Sequence, residues 1–215
     1  MAGRAEARRR PFAGRGARAL PAVIGCDEVG RGALCGPVVV AAVWFAPDCL
    51  PRGLLAMLDD SKKLARAERE ALYPRLAGCM RVAFAARSAR AIDRFGIRTA
   101  TLSAMHEAVV RLDLDAPVRI DGVDVPPGLR LPGRFVDVAA VVRGDGQVPQ
   151  IAAASILAKV LRDRLMARLA ARHAAYGWCA NAGYGTAHHR AAILTAGPTR
   201  HHRRSFGALL AEAAE

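Results

Sequence analysis

"GCDEVGRGALCGPVVVAAV", residues 25–43, sets two adjacent acids, Asp27 and Glu28, at the end of one apolar run, and Gly30-Arg31-Gly32 before the next. The runs Ala22 to Cys26 and Pro37 to Phe45 read as neighbouring strands joined by a glycine-rich turn. A buried strand gains nothing from ending in two carboxylates, because desolvating a charge is costly unless something compensates it. The pair points to a ligand, with a helix cap or a surface pair as the alternative.

Outward from this stretch, "RVAFAAR" (81–87) is a third candidate strand. "VRID" (118–121) and "VAAVVRGD" (138–145) are two more, each an apolar run that gives out into an acid. Helical patterns lie between them. One opens at "ARAERE" (65–70), and Pro74 is expected to kink or end it, since proline lacks the amide a helix interior uses. "TATLSAMHEAVVRL" (99–112) sets Leu102, Met105, Val109 and Leu112 on one face. Ile151, Ala154, Ala158, Leu161, Leu165 and Leu169 do the same for a longer helix over 151–176. Strands first, then helix and strand in alternation, predict an α/β layer fold with a mixed β-sheet flanked by helices. The Pro/Gly-rich "DGVDVPPGLRLPGRF" (121–135) reads as a loop.

The 215 residues suit one sizeable core, and 32 Lys plus Arg stand against 19 Asp plus Glu, a net charge of +13. That excess favours a polyanionic partner, because a Lys or Arg on a phosphate releases condensed counterions. Six of the arginines fall in residues 1–20, read as a basic arm without fixed structure. The folded unit is expected over 21–215, with a C-terminal helical extension from about 165. The apolar stretch "LPAVIGC" is short and contains Pro21, which does not fit a secretory signal. No segment approaches the roughly 20 apolar residues of a membrane span, so a cytoplasmic monomer away from membranes is expected. The five cysteines are scattered and form no C-x-x-C. They predict neither a disulfide framework nor a zinc site, and read as small buried residues in a reducing compartment.

Strands of an α/β sheet gather their ends on one edge, and sites form there. Asp27-Glu28, Asp121 and Asp145 would then converge, and like charges a few ångströms apart in a partly desolvated place repel strongly. Divalent cations resolve the conflict. Hard oxygen ligands select Mg²⁺ or Mn²⁺, and two such ions clamp a scissile phosphate between them. Acids together with a basic surface imply phosphodiester chemistry. Taken singly, Asp121 and Asp145 are also ordinary turn formers, each followed by glycine.

The residues 25–43 closely resemble the first signature of the type 2 ribonucleases H, the ribonuclease HII family. The likeness continues in order through "DDSKKL" (59–64), "RIDG" (119–122), "VVRGD" (141–145), "IAAASILAKVLRDR" (151–164), "AGYGTAHH" (182–189) and "HHRRSFG" (201–207). The resemblance implies a ribonuclease H-like fold and an endonuclease that cleaves RNA in RNA–DNA hybrids. It also implies cleavage at single ribonucleotides embedded in duplex DNA, cut on the 5′ side to leave 3′-hydroxyl and 5′-phosphate ends. Its metal-binding acids fall on Asp27, Glu28, Asp121 and Asp145, which would hold two Mg²⁺ or Mn²⁺ ions with substrate. Gly30, Arg31 and Gly32 would read the ribose 2′-hydroxyl, the one sugar difference between RNA and DNA. Glycines there would let the backbone approach where a Cβ would collide. Tyr184 would pack against the sugar at the RNA–DNA junction. Ser155 and Lys159 would lie near phosphates, although Lys159–Asp163 also fits an ordinary surface pair, and Lys62 and Lys63 read as phosphate neighbours or as solvated loop charges. None of His188, His189, His201 and His202 is assigned to metal, and Arg203 and Arg204 read as electrostatic or structural.

The chain departs from the family pattern at Arg143 and Ala182, where lysine is common, and at Val123 and Gly96, where asparagine is common. A ribonuclease HIII would need a large N-terminal domain that a 20-residue arm does not supply. A rival from another class is a non-catalytic basic nucleic-acid-binding protein. Neither a sliding clamp nor a polymerase partner is indicated by the tail "FGALLAEAAE" (206–215).

Overall fold

In the computed structural model, residues 20–59, 64–131 and 134–206 are described. The opening stretch forms β1 (Ile24–Val29) and β2 (Val38–Trp44), an antiparallel pair. β1 runs on through Asp27 and Glu28, which are laddered opposite Ala41 and Val40, so the acids stand on paired backbone and not on a loop. Next come α1 (Arg52–Asp59), α2 (Arg66–Cys79) and β3 (Arg81–Arg87), the last antiparallel to β2. α3 (Ala89–Phe95) and α4 (Ile97–Leu112) lead to β4 (Val118–Asp121). A two-stranded ribbon, β5 (Arg130–Leu131) and β6 (Arg134–Phe135), precedes β7 (Val138–Val141). α5 (Pro149–Ala170), α6 (Trp178–Asn181) and α7 (Ala187–Ala196) follow.

The five-stranded sheet has the order β3-β2-β1-β4-β7. Its first three strands alternate in direction, whereas β4 and β7 run parallel to β1. It is the mixed sheet flanked by helices that the sequence predicts. Both faces are covered, which is why β2 is an unbroken apolar run without alternation. On one face Ile24, Cys26, Val40, Ala42 and Ile120 pack against Met105, Ala108 and Val109 of α4. On the other, Ala41 and Val43 meet Leu58 of α1, Leu76 of α2 and the alanines of α5. Small residues on α5 bring it close to the sheet. A Cβ on Gly25 would stand 2.2 Å from the Gln150 carbonyl carbon.

Several local expectations are corrected. α2 passes through Pro74 without ending, because tertiary burial of Leu72 and Leu76 on either side outweighs the missing hydrogen bond. α5 begins earlier, with Pro149 in its first turn, and stops at Ala170. Residue 165, the expected start of the helical extension, therefore lies inside α5, and Tyr176 belongs to a separate 3₁₀ turn. The segment 121–135 is not all loop, since β5 and β6 form within it. Cys26 and Cys35 are buried, but Cys49, Cys79 and Cys179 are exposed. The basic arm, Lys62, Lys63 and nearly all of the tail lie outside the described residues.

Past α5 the chain returns to the β1–β2 loop. Met166, Tyr176, Trp178 and Ile193 form a second core around Cys35. The C-terminal part is thereby joined to the Gly30–Pro37 loop.

Candidate active site

Two parallel strands, β1 and β4, deliver Asp27, Glu28 and Asp121 to one edge of the sheet. Cys26 of β1 pairs with Ile120 of β4, so Asp27 and Asp121, the next residues, emerge side by side. Strand alternation turns both to the α5 face, since Cys26 and Ile120 face α4. α5 answers with Ser155, whose hydroxyl hydrogen-bonds the Asp27 carboxylate. Asp27 Oδ1 also accepts the Glu28 amide at 2.7 Å. Glu28, one residue on, turns toward Arg31, which donates from Nη1 to Oε1 at 3.3 Å.

Asp145 is reached differently. β7 ends at Val141, and the chain turns through Arg143 (φ +53°) into a 3₁₀ turn, Gly144–Gly146. Asp145 therefore sits on that turn and not on a strand end. The Gly144 amide donates to Asp121 Oδ1 at 2.6 Å, which fastens the turn to β4. Gly144 is buried, and a Cβ there would lie 2.6 Å from Ile151 Cδ1 and 3.3 Å from Asp121 Oδ1. A side chain there would have to displace the Ile151 methyl or the turn itself.

The electrostatics of the edge are unfavourable without a counter-charge. Asp27 is 7% exposed, and burial, then the charge of Glu28, push its carboxyl well above the usual carboxylate range. Burial also raises Glu28, against the lowering effect of Arg31, and Asp121 adds to the repulsion on both. Glu28 Oε2 is buried with no hydrogen-bond partner among the described residues. Among those residues no three His, Cys, Asp or Glu side chains are arranged to hold one ion as they stand. Protein donors hold the carboxylates instead: Ser155 on Asp27, Arg31 on Glu28 and the Gly144 amide on Asp121. An all-oxygen, all-anionic donor set with a desolvated, unpartnered oxygen suits a hard divalent cation.

Around the acids, Gly30, Arg31 and Gly32 open the β1–β2 loop. The two glycines differ. Gly30 has φ +94°, and a Cβ on it would stand 2.1 Å from Arg162 Nε; its missing side chain is needed for internal packing. Gly32 has no atom within 4 Å of its Cβ position, so that is the glycine facing open space. Arg203, fully buried, donates from Nη1 to the Arg31 carbonyl at 2.8 Å and from Nε and Nη2 to the Gly36 carbonyl. Arg162, also fully buried, donates to the Pro37, Ala182 and Cys35 carbonyls at 2.9, 2.9 and 3.1 Å.

Tyr184 is 37% exposed beside this loop. The Leu34 and Cys35 amides donate to the Gly183 carbonyl at 2.9 and 3.2 Å, which docks the tyrosine's turn against the glycine loop. The Tyr184 carbonyl accepts from the Thr186 amide and from His189 Nδ1. The partners fix the tautomers. Trp178 Nε1 donates to His189 Nε2 at 2.9 Å, so His189 carries its proton on Nδ1. His202 Nδ1 accepts the Thr199 amide, so its proton lies on Nε2, directed at His189 Nε2 3.1 Å away. Burial, then His189, push His202 down to about 4. Both histidines are structural, neutral supports of the Tyr184 turn.

Ser155 thus lies against an acid, and Lys159 is engaged with Asp163 at 2.5 Å. The sequence reading missed Arg162 as part of this region. Its periodicity within α5, seven residues after Ser155 on the covered side of the helix, was the available signal. A cavity of about 370 Å³ at the other edge of the sheet is lined by Trp44, Phe45, Cys49, Leu50, Cys79 and Met80. It contains no carboxylate and is not the site.

The sequence profile of the ribonuclease HII family matches residues 24–209. The ribonuclease HII of Brucella anthropi is 51% identical over 193 residues, covering 88% of this chain and 84% of that protein. The PCNA:RNase HII complex from Archaeoglobus fulgidus contains a chain with TM-score 0.72 and 28% identity, covering 87% of this chain and 96% of that one. Bst-RNase HIII in complex with Mn²⁺ has the same fold, with TM-score 0.72 at 18% identity over 99% of this chain and 75% of that one.

Proposed function

Because the chain belongs to the ribonuclease HII family, metal-dependent endonucleases acting on RNA–DNA hybrids, we propose that it also cuts duplex DNA at single embedded ribonucleotides. The cut falls 5′ to the ribonucleotide and uses two divalent ions held by Asp27, Glu28, Asp121 and Asp145. The reading rests on the side-by-side emergence of Asp27 and Asp121 from parallel strands, with Glu28 Oε2 buried and unpartnered next to them. Bound Mg²⁺ or Mn²⁺ would supply an activated water and charge neutralisation at the leaving oxygen, giving 3′-hydroxyl and 5′-phosphate ends.

The chain's own residues do the rest. The β1 ladder and the Gly144–Asp121 bond hold the carboxylate backbones fixed, so little reorganisation accompanies substrate binding. Ser155 orients Asp27, and Arg31 offers a positive charge that serves Glu28 and a phosphate. The open side of Gly32 admits a sugar close to the backbone, and Tyr184 stands ready to pack on it. Lys159, Lys62 and Lys63 are proposed phosphate neighbours, with Lys159 leaving Asp163 to act so. A non-catalytic binding protein would have no use for buried, mutually repelling acids.

The test is a DNA duplex carrying one ribonucleotide, assayed with Mg²⁺ or Mn²⁺, with chelator, and against the all-DNA duplex. Cleavage of the first alone, silent in chelator, is expected. Equal cutting of the all-DNA duplex, or cutting in chelator, would overturn the reading.

A further inference from the structure

Arg162 has no place in the chemistry of the acids, yet it is wholly buried at the junction of the two elements assigned to sugar reading. Its guanidinium reaches the Pro37 and Cys35 carbonyls behind the Gly30-Arg31-Gly32 loop and the Ala182 carbonyl of the Tyr184 turn. Its central carbon lies 5.4 Å from the centroid of the Tyr184 ring, over its face, within cation–π range. Gly30 closes directly on it, since a Cβ there would meet Nε at 2.1 Å. One planar group thus touches both sides of the cleft.

We propose that Arg162 is a positioning residue that sets the gap between the glycine loop and the Tyr184 ring, and so tunes discrimination of an isolated ribonucleotide. The proposal rests on the sugar-reading role given above to Gly30-Arg31-Gly32 and Tyr184. A buried guanidinium bonded to main-chain carbonyls is an expensive way to fill space, because its desolvation is only partly offset and an apolar side chain would pack there without that penalty. It is intelligible if three backbones have to be fixed at once. Arginine's rigid fork does this, and the mobile ammonium of lysine does not. Ala182 supports the view: it is held at φ +48°, a conformation alanine rarely adopts, with its carbonyl on Arg162 Nη1.

A merely structural arginine would affect all substrates alike, whereas a gap-setting one acts through Tyr184. A continuous RNA strand offers a ribose at every position, so a misplaced sensor costs less there than at a lone ribonucleotide. The experiment measures kcat and KM for Arg162→Lys, Tyr184→Ala and the double variant. Each is assayed on the single-ribonucleotide duplex and on an RNA–DNA hybrid, with circular dichroism melting alongside. For Arg162→Lys, kcat/KM on the single ribonucleotide is expected to fall about tenfold or more, and on the hybrid less than about threefold. In the Tyr184→Ala background the same change is expected to cost less than about threefold further. Arg162→Gln, which keeps a planar donor of shorter reach, is assayed in the same way, is expected to reproduce the selective loss, and decides the matter if Arg162→Lys does not fold. Equal losses on both substrates, or losses that add fully to those of Tyr184→Ala, overturn the inference while leaving the proposed function standing. A wild-type enzyme that cuts hybrids but spares the single ribonucleotide overturns the function and the inference together.

Discussion

Replacing Gly144 by alanine leaves all four carboxylates in the chain and disturbs only how two of them are held. The added Cβ would lie 2.6 Å from Ile151 Cδ1, 3.2 Å from Val141 Cβ and 3.3 Å from Asp121 Oδ1. Carbon atoms in contact rest at roughly 3.5–4.0 Å, so about 1 Å has to be found. Ile151 is fully buried at the start of α5 and Val141 belongs to β7, so neither neighbour retreats freely. The remaining freedom is to lift the 3₁₀ turn. Doing so stretches the 2.6 Å bond from the Gly144 amide to Asp121 and carries Asp145 away from β4. Overpacking of this kind costs about 1–3 kcal/mol. At ~2–4 °C per kcal/mol for a chain this long, melting should fall by between roughly 2 and 12 °C. A displacement near 1 Å at an acting carboxylate costs on the order of 10²-fold in rate. We therefore expect kcat on an RNA–DNA hybrid to drop roughly 10- to 100-fold at saturating Mn²⁺, with a higher half-saturating Mn²⁺ concentration and a folded circular dichroism spectrum. Turnover within about twofold of wild type, in a protein that melts several degrees lower, would refute the claim that this turn sets Asp145.

Gly32→Ala is the converse case: with nothing within 4 Å of its Cβ position, melting should stay within about 1 °C of wild type. Its kcat/KM on the single-ribonucleotide duplex should fall nevertheless, and unchanged kinetics would show that no sugar approaches there. His202, held neutral with its pKa pushed down to about 4, makes stability depend on pH. Its unfolded pKa is about 6.5, so its contribution is fully present above that value and is lost as pH falls toward 4. Between pH 7 and pH 4 the loss amounts to about 3 kcal/mol. Urea midpoints measured between pH 7 and pH 4 should decline, and His202→Phe, if it folds, should decline less over that range; equal declines would remove His202 as the cause.

The acids at Asp27, Glu28 and Asp121 were legible because each interrupts or ends an apolar run, and strand direction then brings them to one edge. Asp145 was proposed by the same rule, but β7 stops earlier and a turn carries it. Of the two outcomes expected at Pro74, an end to the helix does not occur, because a local rule about missing amides says nothing of burial on either side. Arg203 was illegible as a site support, and for Arg162 only its place on the covered side of α5 spoke against it, because in a chain with a net charge of +13 any one arginine reads as surface charge. Most of the carbonyls that hold them come from residues more than 100 positions away, which no local pattern encodes. The different needs of Gly30 and Gly32 were equally hidden, since the tripeptide looks symmetrical until Arg162 is seen beneath one side of it.

Arg203 reaches across 172 positions to the carbonyl of Arg31. A chain emerging from the ribosome N-terminus first has made the strands that carry its acids well before it makes this residue. The anchoring of the Gly30–Pro37 loop thus trails the making of the acid-bearing strands during biosynthesis, and a product broken off ahead of Arg203 would keep its acids while losing one fastening of that loop.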